Sequence, residues 1–66
     1  MSMSRRDFET IARTINRAIL RAARDHNGAA VLALDALAKD MATEIAMTNG
    51  RFDTTRFLLA CGVDEE

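Results

Sequence analysis

Residues 25–28 read Asp-His-Asn-Gly, "DHNG", and the reading of this break decides the fold. Before it, Phe8, Ile11, Ala12, Ile15, Ala18, Ile19, Ala22 and Ala23 recur at the i, i+3, i+4, i+7 positions of an amphipathic helix. After it, Val31, Leu34, Ala38, Met41, Ile45 and Thr48 follow a 3-4-3-4-3 spacing, and Ala30, Ala33 and Leu37 widen the stripe. Within the break, Gly28 or Asn27 is expected to take the left-handed conformation that closes a helix. His26 falls in the last turn, where a protonated imidazole favours the helix dipole. So short a connection makes the two helices an antiparallel hairpin.

The same punctuation recurs outward in both directions. Ser4 is an N-cap with Asp7 three residues on, and Met3 and Phe8 stand at the two ends of a hydrophobic staple. Asn49-Gly50 repeats the closing signal, so the second helix should stop near Thr48. Phe52-Asp53-Thr54-Thr55-Arg56-Phe57 then opens a third helix, with Asp53 as N-cap and Phe52 and Phe57 as the staple, and Gly62 ends it. The expected helices span residues 5–26, 29–48 and 54–61, followed by an acidic tail at 64–66, in a single domain over 1–66.

Proline is absent, glycine occurs three times, and β-branched residues are scattered, which leaves little material for strands. The fold class is therefore all-α: a helical hairpin plus a short third C-terminal helix, a three-helix mini-domain. Sixty-six residues lie near the lower limit for an unaided apolar core, so homo-oligomerisation is expected to complete it. The stripe of the second helix is wider than one neighbour needs, which makes Leu32, Leu37, Met41 and Met47 the candidate oligomer-interface residues. Met41 and Met47 alternatively suggest an adaptable groove, although Met at helical spacing is ordinary core material.

Composition closes several other routes. No apolar run approaches a membrane span, and the start leads into a charged helix, so a cytoplasmic protein without membrane contact is expected. One cysteine and one histidine supply neither an internal disulfide nor an ordinary zinc site, and no metal or cofactor is expected. The net charge of −1 argues against wholesale nucleic-acid binding. That average conceals an asymmetry: residues 4–27 carry six arginines against three carboxylates, whereas residues 29–48 carry one lysine against three carboxylates. Arg13, Arg17 and Arg24 are the candidate basic face. It either complements a neighbouring acidic helix or docks an acidic partner.

Packing of the third helix accounts for Phe52, Phe57, Leu58 and Cys61 without a function, since a helix this short exists only by burying its apolar face. Cys61 reads as a small apolar residue rather than a nucleophile, with a pairing to His26 across the fold as the alternative. Arg51, Thr54, Thr55 and Arg56 are left over. They surround a helix N-terminus and suit a phosphate or carboxylate, although Asp53 already occupies the same donors. The competing reading is a solvated helix start, with Arg51 or Arg56 paired to Asp40, Glu44 or the tail. A third treats the last two helices as a helix-turn-helix with Thr54, Thr55 and Arg56 opening the recognition helix.

The front Phe8-x-x-Ile11-Ala12 and the ending Arg51-Phe52-Asp53-x-x-Arg56-Phe57-Leu58-x-Ala60-Cys61-Gly62-Val63 resemble a group of small helical proteins of unassigned function from bacteriophages, prophages and plasmids. The resemblance brings no catalytic or binding residue with it. What it implies is context: an accessory protein of a mobile element, acting in the host cytoplasm. The expected function is a non-enzymatic helical interaction protein that forms a homo-oligomer and binds a host macromolecule, with a host protein as the expected partner. The alternatives are an oligomeric binder, or sponge, of a small phosphate-bearing anion or signalling nucleotide, and a DNA-binding regulator.

Overall fold

The computed structural model describes residues 4–63. It contains three helices, α1 (Arg5–Arg24), α2 (Gly28–Thr48) and α3 (Thr54–Cys61), and each packs on the other two. The all-α fold class and the hairpin-plus-short-helix arrangement are as the spacing predicts. Met3, one end of the expected first staple, and the acidic tail lie outside the described residues.

Helix α1 opens with a full capping box. The Ser4 side chain accepts from the Asp7 amide at 3.4 Å, and the Ser4 amide donates to Asp7 Oδ2 at 2.9 Å. Its end differs from the expectation at residue 26. α1 stops at Arg24, and the left-handed residue is His26 at φ 55°, not Asn27 or Gly28. The His26 amide donates to Ala23 O at 3.1 Å and the Asn27 amide to Ala22 O at 2.9 Å, the paired bonds of a Schellman closure. Asn27 is thereby released for a different task. Its Oδ1 accepts from the Ala30 amide at 3.1 Å, which caps α2 and lets that helix begin at Gly28.

The Asn49-Gly50 signal also works by another route. Neither residue is left-handed; the Asn49 amide donates to Ile45 O, and its Oδ1 accepts from the Arg51 amide at 3.1 Å while its carbonyl accepts from the Phe52 amide. This side-chain turn redirects the chain within a few residues, so Asp53 can cap α3 through the Arg56 amide at 3.0 Å. Among the described residues Gly62 is the only glycine at positive φ, 80°, and there the expected left-handed closure holds.

The core is thin. Its buried members are Ala12, Ile15, Ile19, Ala38, Ala42, Phe57, Leu58, Cys61 and Val63. Three of the nine are alanines, so the helices approach closely, and Ile15 and Ile19 of α1 with Phe57 and Leu58 of α3 supply most of the bulk. Met41, a candidate interface residue, is partly buried against this core, because it lies on the same side of α2 as Leu34, Ala38 and Ile45. The other three candidates are exposed: Leu32 at 71%, Leu37 at 47% and Met47 at 76%.

Candidate functional site

The aromatic residues settle where α3 starts relative to α1. Phe52 and Phe57 meet at 5.4 Å between ring centroids, the staple that the spacing predicts. Phe8 joins them edge-on to Phe52 at 5.0 Å, which ties the first turn of α1 to the loop before α3. At the other end of α3, Asn16 Nδ2 donates to the Cys61 carbonyl at 3.0 Å, two turns further along α1. Helix α3 therefore runs alongside the N-terminal half of α1, in the same direction.

Between them lies an open groove of about 620 Å³. Its α1 wall is formed by Arg5, Glu9, Ala12 and Arg13, the i, i+4, i+7 and i+8 positions of one face. The opposite wall is Asn49, Arg51, Asp53, Arg56 and Ala60, and the three phenylalanines complete the lining. Four guanidiniums from three segments thus stand around an aromatic base, against the two carboxylates of Glu9 and Asp53.

None of these arginines forms an ion pair with a described carboxylate, so the expected pairing of Arg51 or Arg56 with Asp40 or Glu44 is not made; the tail lies outside the described residues. Asp53 is committed to the Arg56 amide as the cap of α3. An anion in the groove would accordingly be held by side-chain guanidiniums rather than by the amides of the helix start. Their fork of planar donors suits carboxylate and phosphate oxygens alike. Several cations without an ion pair to a described carboxylate, held around one groove, also raise the local positive potential, and an incoming anion lowers that repulsion.

The candidate residues divide accordingly. Arg51 and Arg56 reach the groove, and Arg13 of the candidate basic face joins them there. Thr54 and Thr55 do not line it; Thr54 is partly buried and Thr55 is exposed. Arg17 and Arg24 lie further along α1, beside the exposed Leu20 and beyond the end of α3. Arg5 and Glu9 were not singled out from the sequence. A signal for them was available in the staple itself, which predicts that the start of α1 and the start of α3 both carry a phenylalanine needing a partner.

Cys61 is fully buried beneath the Asn16 contact, and burial pushes its thiol pKa up. His26 is exposed in the α1–α2 turn, and no hydrogen bond joins the two. A buried, protonated thiol is a poor nucleophile, and the residue behaves as a small apolar side chain. Among the described residues no group of three or more His, Cys, Asp or Glu side chains is placed to hold a metal ion, and no helix is long and apolar enough to cross a membrane. Comparison of the chain with family models, with curated proteins and with solved structures finds no match to any of them.

Proposed function

We propose that this chain is a non-enzymatic interaction protein that receives an acidic segment of a partner protein in the α1–α3 groove. The observation that carries the reading is the convergence of Arg5, Arg13, Arg51 and Arg56, without ion pairs to described carboxylates, around Phe8, Phe52 and Phe57. An amphipathic acidic helix suits that combination: its carboxylates meet the guanidiniums on the rims and its apolar face meets the rings. A host protein, met in the bacterial cytoplasm, is the partner implied by the resemblance read in residues 51–63.

A second reading has an observation of its own. The groove volume falls in the range of small-ligand sites, roughly 300–1,000 Å³, and aromatic rings among arginines also suit a nucleotide, with base over ring and phosphate on guanidinium. Fluorescence anisotropy separates the readings. The probes are a labelled Glu/Leu amphipathic peptide, its Lys/Leu counterpart, a labelled nucleoside triphosphate and a short DNA duplex.

The acidic peptide is expected to bind, to weaken as salt rises, and to lose at least tenfold in affinity in the Arg51→Ala/Arg56→Ala chain. Preferential binding of the triphosphate with the same arginine dependence assigns the site to nucleotides. Equal binding of both peptides removes the electrostatic basis of the proposal, and tight duplex binding would move the function to DNA.

A further inference from the structure

Between Gly28 and Lys39 the only polar residue of α2 is Asp35, so this half of the helix is apolar nearly all round. Val31, Leu34 and Ala38 already face the core. On the side turned away from α1 and α3, Ala29, Leu32, Ala33, Ala36 and Leu37 are all exposed. A helix apolar on every side is normally covered on every side. We infer that a second copy of this chain covers it, with the two α2 helices antiparallel and a two-fold axis passing beside Ala36 and Leu37.

The charges on α2 select that arrangement. Asp35 and Lys39 occupy one flank of the exposed face, four residues apart, and no ion pair joins them within the chain. An antiparallel two-fold at Ala36 and Leu37 brings Lys39 of one copy within one residue of the level of Asp35 of the other, twice by symmetry. The acidic Asp40 and Glu44 then come level with Ala33 and Ala29. A parallel pairing would set Lys39, Asp40 and Glu44 each against its own copy, and like charges so placed oppose association. The three exposed alanines let the backbones approach to the roughly 8–10 Å of packed helices, with Leu32 and Leu37 filling the flanks. Such an interface is self-complementary and closes at two chains. It leaves the α1–α3 groove open, so it stands independently of what that groove binds.

Sedimentation equilibrium at micromolar concentration is expected to give twice the 7.3 kDa chain mass. Leu37→Glu should give the single-chain mass with the helical circular dichroism intact. Lys39→Glu and Asp35→Lys should each weaken the dimer about tenfold, and the doubly reversed chain should recover it. Because Asp35 is partly buried, a cross-link offers an independent measure. In a Cys61→Ala background, a short bis-maleimide should join Ala33→Cys chains to Asp40→Cys chains far faster than it joins Ala33→Cys chains to each other. A wild-type chain that stays at 7.3 kDa at hundreds of micromolar overturns the inference. So does a dimer in which equal copies cross-link as fast as the mixed pair, or one that charge reversal leaves unchanged.

Discussion

The ends of α1 and α3 close with the same pair of hydrogen bonds and do opposite things. At α1, His26 takes the left-handed position, the next residue Asn27 is exposed, and both amides are satisfied by Ala23 and Ala22. At α3, Gly62 takes that position, the next residue Val63 is 3% exposed, and the amides are satisfied by Leu59 and Leu58. The first closure is a joint in solvent, so a side chain is tolerated there at some conformational cost. The second presses Val63 into the core near Asn16, where a Cβ on residue 62 would run into the Asn16 amide group. A hydrogen-bond pattern alone does not say what a turn requires. The residue that follows it, and what lies over it, do.

Substitutions at the two ends should therefore have effects of different size and sign. Gly62→Ala should cost the most, about 2 kcal/mol, from left-handed backbone strain together with the displaced Asn16 amide. Urea denaturation measures it, and a loss below a few tenths would mean that the α3 end is as open as the α1 end. Asn16→Ala should cost about 1 kcal/mol by removing the hydrogen bond to the Cys61 carbonyl. Combined with Gly62→Ala it should cost less than the sum, because the alanine methyl then meets no amide.

His26→Gly should act the other way, stabilising by about 0.5 kcal/mol as the strain at φ 55° is removed. Destabilisation by this glycine would show that the imidazole makes a contribution the exposed turn does not explain. The smallest effect should appear with pH. Burial raises the folded-state pKa of Cys61 above its ordinary 9.0, so the folded chain holds the thiol proton more tightly than the unfolded chain. Stability is then unaffected below 9.0 and falls as pH climbs past it, and the Cys61→Ala chain should lack this part of the alkaline decline. An identical alkaline slope in both chains would argue against a protonated, buried thiol.

The helices were legible to within two residues because capping and periodicity are local: Ser4, Asp53 and Gly62 act on amides a few residues away. The misreading at Asn27 has a local cause as well. Asparagine serves as a left-handed closer or as an N-cap, and with the second helix starting immediately it is needed as the cap, which leaves the left-handed position to His26. The groove was half legible. Arg51 and Arg56 stood out because packing did not explain them, whereas Arg5 and Glu9 look like ordinary solvated positions until α3 is laid beside α1.

By itself the sequence determined that this chain is three helices, where each begins and ends to within two residues, and which stripe of each is apolar, since all of these follow from contacts within one or two turns. Only the tertiary structure decided that α3 runs alongside the first half of α1, because that choice depends on three phenylalanines far apart in the chain finding one another. The same packing gathered four arginines into one groove and left the outer side of α2 bare. Neither feature has a local cause. Each is a consequence of which faces were consumed in building so small a core.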